Sequence, residues 1–298
     1  MIQCTQDTAV VILSYNGRKW HELFLPLIVS EAHTGYDVVV VDNASTECDP
    51  QDFLKEFPQL ILVRSEVNGG FAYGNNLGIE KANGNYILLL NSDTILKENS
   101  VCFSWNYLKN HEAVGVLGCR MIFPDGMIQY TARKFRSIKW ELLDLFRFIP
   151  NMMPYKKRSR LMLGKYFKCD ESIECDWVNG AFFMFEKKVL EQLPQKKLDD
   201  HFFMYGEDQL WCEQIKDLGY KILFYSDTTI IHINNASTDI KKQLSLRKVM
   251  MRHELEIMRI RKGKTPYYYL FALIYGTKES IRNFVKRIIF MVSGNLIK

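Results

Sequence analysis

Four short apolar runs, Val10–Leu13, Val38–Val41, Leu60–Val63 and Ile87–Leu90, constrain this chain more than any other feature. The run Asp37-Val38-Val39-Val40-Val41 has no alternation of apolar and polar residues, which is the pattern of a strand buried on both faces. Segments of helical character lie between the runs, at Arg18 to Ala32, Gln51 to Phe57 and Phe71 to Ala82, and supply crossovers and covers. The product is an α/β fold with a parallel, Rossmann-like sheet sandwiched by helices. Three of the runs end in small or polar residues: Ser14-Tyr15-Asn16-Gly17, Asp42-Asn43-Ala44-Ser45 and Asn91-Ser92-Asp93. Ligands bind outside the carboxyl ends of such strands, so the three loops converge on one crevice.

Each loop offers chemistry and a plainer alternative. Tyr15 and Asn16 line the crevice after the first run. Asp42 places a carboxylate where a base or ribose would lie, or caps a turn. The stretch Asn68-Gly69-Gly70-Phe71-Ala72-Tyr73-Gly74-Asn75-Asn76 opens a helix whose first N–H groups favour an anion, or its glycines serve close helix packing. Its spacing fits neither the dinucleotide fingerprint nor the Walker A loop. Asn91, Ser92 and Asp93 deliver one carboxylate to the same edge, as a turn or as a ligand for a hard cation such as Mg²⁺ or Mn²⁺ that would also hold substrate phosphates. Glu207 and Asp208 follow the aromatic run Phe202-Phe203-Met204-Tyr205 at the start of a helix, where acids complement the dipole or, raised by burial, act as a general base. His232, after Thr229-Ile230-Ile231, is a structural histidine or a ligand of metal or phosphate.

Further strands are expected at Val114 to Gly118, Trp177 to Phe185 and Lys221 to Phe224, and a helix at Glu207 to Leu218 that stops at Gly219. Residues 133–166, basic and aromatic without a clean period, read as a flap or acceptor-facing surface or as an excursion helix packed on the core. From 240 to 298 the chain holds 14 Lys and Arg against three Glu, a balance of +11 that leaves −6 elsewhere, given +5 overall. With the apolar runs Pro266 to Tyr275 and Phe284 to Val292, too short to span a bilayer, this tail suits a peripheral position on an anionic inner-membrane surface, or a solvated basic face. No nucleic-acid module accompanies the charge. The N-terminus lacks the basic start and apolar run of a secretory signal, so a cytoplasmic location is expected. The seven cysteines show no zinc-knuckle spacing and are expected to be reduced core thiols.

Taken together, these blocks resemble glycosyltransferase family 2, inverting and of GT-A fold, in its rhamnosyltransferase-like branch. The resemblance runs from about Val10 to Thr238 and also takes in Pro124-Asp125-Gly126 with Gln129, Trp177-Val178-Asn179-Gly180-Ala181 and Ala236-Ser237. It implies a GT-A domain over 1–239, with a nucleotide half to about 120 and an acceptor half from 121, followed by the basic helical tail at 240–298. It further implies a nucleoside-diphosphate sugar (dTDP, UDP or GDP) at Asp42, Tyr15, Asn16, Asn68, Gly70, Asn75, Asn91 and Ser92. The metal falls to Asp93 and His232, the catalytic base to Asp208 beside Glu207, and the glycan or lipid-linked acceptor to Trp177 and Gly180. Asn91 stands where the family's metal motif has its first aspartate, so Asp93 carries the main carboxylate contact. Two other classes share parts of the pattern. A sugar-phosphate nucleotidyltransferase would need a glycine-rich run with Arg and Lys soon after the first strand, which is lacking; a catalytically idle sugar-nucleotide-binding protein fits the leucine at position 210, where the branch carries an acid.

Overall fold

In the computed structural model, which describes residues 7–17, 19, 35–47, 49–234 and 240–293, the apolar runs form one half of a ten-stranded sheet. β1 (Thr8–Ser14), β2 (Asp37–Asp42), α1 (Gln51–Glu56), β3 (Ile61–Arg64), α2 (Phe71–Lys81) and β4 (Tyr86–Asn91) follow one another, and the four strands are parallel in the order β3-β2-β1-β4. Val10, Val39, Leu88 and Leu89 have no exposed surface. Burial on both faces is why these strands lack alternation. α2 lies close on the sheet because Gly74 and Gly78 permit it: a Cβ on either would come within 2.3 Å of Leu13 or 2.4 Å of Val11. The packing role of the glycine-rich segment is therefore real at those two positions. The expected helix from Arg18 to Ala32 lies, Lys19 apart, outside the described residues.

β5 (Thr94–Leu96), α3 (Ser100–Lys109), β6 (Val114–Ile122) and β7 (Ile128–Gln129) come next. Helices α4 (Ile138–Leu145), α5 (Phe148–Asn151) and α6 (Tyr155–Met162) then precede β8 (Ile173–Cys175) and β9 (Phe182–Glu186). Last come α7 (Lys187–Glu191), α8 (Glu207–Asp217), β10 (Lys221–His232), α9 (Ile240–Lys262) and α10 (Pro266–Ser293). The sheet continues β4-β9-β6-β10-β5, and β9 runs antiparallel to β4 and β6. The expectation of a wholly parallel sheet thus holds only for its first half. A fully buried strand such as Phe182–Phe185 looks the same in either direction, and its connection alone sets its sense. The strand expected from Trp177 starts at Phe182, because residues 177–181 turn aside to other partners. β10 alternates buried and less buried residues from Ile222 to His232, and its pairing with β6 jumps register between Tyr225 and Thr229. The polar residues inside that jump are satisfied locally: Thr228 Oγ1 lies 2.9 Å from Glu98 Oε1, to which it donates, and 2.8 Å from Ser100 Oγ, and Ser226 N donates to Ser172 Oγ at 2.9 Å.

The chain divides into two compact units, one of residues 1–134 and 163–234 with the whole sheet, the other of 135–162 and 235–298. In the second unit Met258, Phe271 and Tyr275 form a small core with Ile138, Met251, Leu255 and Tyr268. The excursion at 135–162 thus resolves into helices that pack with the tail. Buried charges lock α4 to α10: Asp144 takes Lys278 at 3.0 Å and Arg282 at 2.8 Å, Lys278 also meets Glu141, and Arg136 bridges Glu141 at 2.7 Å and Glu254 at 3.4 Å. Removing one member would strand its partners in low dielectric. Cys119, Cys169, Cys175 and Cys212 are buried free thiols, and burial pushes the Cys175 thiol up to about 12. Cys102 departs from the expectation of reduced thiols, being disulfide-bonded.

Candidate active site

The carboxyl ends of β1 and β2 are tied into one rim. Asn16, at φ 50°, accepts Thr46 N at 2.8 Å and donates its own N–H to Ser45 Oγ at 2.9 Å. Tyr15 beside it is exposed. Asp42 is buried, and its Oδ1 accepts Ser45 N at 3.1 Å, so the turn-forming alternative is realised by one oxygen. Oδ2 makes no hydrogen bond among the described residues. Asn43 joins three elements: its N–H reaches Ser14 O at 2.8 Å, its amide donates to Asn68 Oδ1 at 2.9 Å and Gly70 O at 3.2 Å, and its Oδ1 accepts Gly69 N at 3.3 Å. Sequence reasoning gave Asn43 no role. Its signal was its place directly after a buried strand, where a side chain with two donors and an acceptor satisfies a neighbouring loop.

Gly70 holds φ 92°, and a Cβ there would come within 2.3 Å of Phe203 O, which accepts Phe71 N at 2.9 Å. That contact links the 68–70 loop to the segment before α8. Asn75 is buried and its amide nitrogen donates back to Phe71 O at 2.9 Å. Asn68 serves the loop itself, since its Oδ1 also accepts Gly70 N at 3.2 Å.

At the end of β4, Asp93 meets His232 from the end of β10, with Oδ1 and Nε2 3.3 Å apart. Gln129 fixes the imidazole. Its amide nitrogen donates to His232 O at 2.5 Å, so its Oε1, 2.9 Å from Nδ1, accepts the ring N–H. His232 Nε2 is thus left facing Asp93 Oδ1 and the Asn91 amide, the latter at 3.3 Å. A carboxylate oxygen and a ring nitrogen at this spacing suit a shared cation, and a ring whose other nitrogen is held by a hydrogen-bond acceptor is oriented as metal-bound histidines are. Asp93 Oδ2 accepts Asn234 N at 3.1 Å. Among the described residues no group of three His, Cys, Asp or Glu could hold a metal, so phosphates and water would complete the shell. Ser92, half-buried, lies between Asn91 and Asp93, whereas Ala236 and Ser237 fall outside the described residues.

Asp208, in the first turn of α8, accepts Gly180 N at 3.1 Å on Oδ2 and Gln209 N at 2.9 Å on Oδ1. Burial raises its proton affinity, while those N–H groups and the positive charge of Arg133 lower it. Burial first and the charge of Asp208 second raise Glu207 as well, and Glu207 Oε2 is buried without a hydrogen bond among the described residues. The charge of each of these neighbouring carboxyls disfavours charge on the other. Two backbone donors favour the charged form of Asp208, whereas Glu207 Oε2 has no such donor among the described residues.

The Gly180 that Asp208 holds ends the loop from Trp177. A Cβ on Gly180 would lie 3.6 Å from Asp208 Cβ and 3.1 Å from the Phe71 ring. Arg133 is paired with Trp177 through backbone bonds of 3.0 and 3.2 Å, and its guanidinium lies 5.3 Å over the indole. This exposed arginine was also missed in the sequence, where it is one basic residue among many in an aperiodic stretch. Asn91 N donates to Ala181 O at 3.1 Å, joining this loop to the end of β4. Two backbone bridges, Phe71 to Phe203 and Asn91 to Ala181, thus bring the three clusters to one sheet edge.

The family model described as Glycosyl transferase family 2 matches residues 9–174. The glycosyltransferase GlyG of Streptococcus pneumoniae is 29% identical over 37% of this chain and 38% of its own. An N-acetylglucosaminyl-diphospho-decaprenol L-rhamnosyltransferase of Mycobacterium tuberculosis is 20% identical over 78% of each chain. The chain spans only part of these relatives: 38% of GlyG and 54% of the Bacillus subtilis glycosyltransferase YfnE. Among solved structures, the mannosyltransferase PcManGT from Pyrobaculum calidifontis, in complex with GDP-Man and Mn²⁺, superposes with a TM-score of 0.57 at 17% identity, over 91% of this chain and 68% of that one. The likeness in structure shows a shared fold, and because the family model matches more than half of the chain, the chain belongs to glycosyl transferase family 2.

Proposed function

We propose that this protein transfers a sugar, rhamnose being the first candidate, from a nucleoside diphosphate to a hydroxyl of a glycan or lipid-linked acceptor, with inversion, at the cytoplasmic face of a membrane where surface polysaccharide is made. The single observation that carries the reading is the placement of Asp208, at the start of α8 with its carboxylate held by Gly180 N at 3.1 Å, beside the loop from Trp177. Asp208, ionised and half-buried, takes the proton of the acceptor hydroxyl as its oxygen attacks the anomeric carbon. One base on the acceptor side is what a single displacement requires, and it inverts the centre. Asp42 Oδ2 faces the nucleoside, accepting from an N–H or hydroxyl. A divalent cation on Asp93 and His232 would neutralise the charge of the departing diphosphate.

Arg133 holds an anionic group of the acceptor and keeps Asp208 ionised. Arg133→Gln is therefore expected to raise the acceptor KM about tenfold, the worth of a charge-assisted hydrogen bond, with nucleotide affinity unchanged. Because Arg133 lowers the proton affinity of Asp208, its loss moves the acid limb of the pH–rate profile to higher pH. A variant with wild-type KM and an unmoved acid limb refutes this role.

A melting screen of dTDP, UDP and GDP, with and without Mn²⁺ or Mg²⁺, tests the donor side. A nucleotide present at a hundred times its Kd stabilises the fold by about 2.7 kcal/mol, visible as a rise of several degrees. One of the three is expected to shift the transition in the presence of metal; if none does, the donor assignment fails.

A further inference from the structure

The second unit has a charge and a surface unlike the rest of the chain. Residues 135–162 and 235–298 hold 21 Lys and Arg against six Asp and Glu, a balance of +15 that leaves −10 on the remainder. The same unit exposes large apolar side chains. Between α4 and α6, Phe146, Phe148 and Met152 are 47%, 62% and 83% exposed. On α10, Leu270, Leu273, Ile281, Phe284 and Ile288 are all at least 40% exposed. At 100° per residue these five fall within an arc of about 80° and run about 27 Å along the helix. The inner side of α10 is spoken for: Phe271, Tyr275 and Lys278, on another arc, are buried in the unit's core and ion cluster. The outer stripe is therefore an apolar face that the fold of this unit leaves in water, and such patches mark an interaction site.

Charge decides the occupant. A second copy applying the same face would bring +15 against +15, whereas an anionic bilayer takes up both the apolar stripe and the charge. Lys156, Lys157 and Arg160 of α6, all exposed, follow Met152 within eight residues, so basic side chains adjoin the apolar turn where headgroups would sit. No helix among the described residues is long and apolar enough to cross a membrane. The ion cluster on Asp144 joins the helix before the turn to the helix that bears the stripe. We infer that the second unit is an anionic-lipid docking module that rests on the bilayer through the outer stripe of α10 and the Phe146–Met152 turn, with α6 as its electrostatic contact. This deepens the membrane part of the proposed function and places the contact on the 142–160 excursion as well as on the tail.

The test is co-sedimentation of the full chain with vesicles of phosphatidylcholine alone or with phosphatidylglycerol, without donor or acceptor. Binding is expected only to the anionic vesicles, weakening as salt rises from low to molar. Each lysine near such a surface is worth about fivefold, so Lys156→Gln with Lys157→Gln should lower the partition coefficient about 25-fold. Phe148→Ser with Met152→Ser, and Leu273→Ser with Phe284→Ser, should each reduce binding while leaving the melting temperature in place, since all four side chains are exposed. Failure of the full chain to bind anionic vesicles at low salt overturns the inference. So does a concentration-dependent dimer that the same serine variants dissolve, which would give the face to a second copy. Vesicle binding is read without catalysis, so its failure leaves the transfer reading standing, and failure of the nucleotide screen leaves this inference untouched.

Discussion

Asp208→Asn is expected to lower the rate of sugar transfer by about 10²- to 10⁴-fold while leaving the affinity for nucleotide within a factor of two or so of wild type. In the proposed reaction the carboxylate accepts the proton of the attacking hydroxyl, which an amide cannot do. The fold should survive for reasons that partly cancel. An asparagine can accept from only one of Gly180 N and Gln209 N and must set its NH₂ against the other, a loss of about 1–3 kcal/mol. Against this, the substitution removes a carboxylate whose charged form burial disfavours. Burial raises both acids, so the folded state retains a proton that the unfolded chain has released. Their joint contribution therefore opposes folding, and increasingly so as pH climbs from the unfolded carboxyl range through the raised folded values. Asp208→Asn should accordingly flatten the decline of stability toward alkaline pH, a melting series that needs no substrate. Near-wild-type turnover in the purified variant would show that another group is the base.

Asp93→Ala is expected to weaken metal-dependent nucleotide binding by at least roughly 10- to 100-fold, the range seen when even the supporting partners of metal ligands are removed. The effect should vanish in EDTA, where wild type and variant bind nucleotide alike. The cost to the fold is small, because the bond lost is the one from Asn234 N at an exposed position, worth about 1 kcal/mol. Asp93→Asn separates the two effects, since its Oδ1 can still accept Asn234 N while it offers a metal no charge. Titration of Mn²⁺ against fixed nucleotide by calorimetry reads the difference; equal affinities in wild type and Asp93→Ala with metal present would sink the assignment.

The parallel half of the sheet was legible because burial on both faces writes itself as unbroken valine and leucine, and each crossover helix is long enough to show. The ends of those strands were legible for the same reason, so Asp42 and Asp93 could be placed at a common edge from residue order alone. What could not be read is whatever depends on pairing between distant segments. Phe182–Phe185 gives no sign of its direction, and nothing near Trp177 announces that Arg133, far back in the chain, holds it by two backbone bonds. The histidine shows the limit well. His232 was a candidate because of its position, yet its tautomer is set by Gln129, 103 residues away. Asn75 shows another limit, since an amide on a glycine-rich helix invites a ligand, while in the structure its nitrogen donates to Phe71 O four residues back.

The register jump in β10 has a consequence for how the site can vary. Side chains on that strand take opposite faces by turns, and the even-numbered ones from Ile222 to His232 point into the protein across the irregular stretch as well as on both sides of it. The imidazole at the strand's end therefore owes its orientation to parity, to an even number of steps along the strand, ten, from the buried Ile222. Loss or gain of one residue between Tyr225 and Thr229 would swap the faces of everything downstream and turn His232 away from Asp93, whereas a change of two would keep the phase. The site is thus open to substitution along β10 but not to odd changes in length.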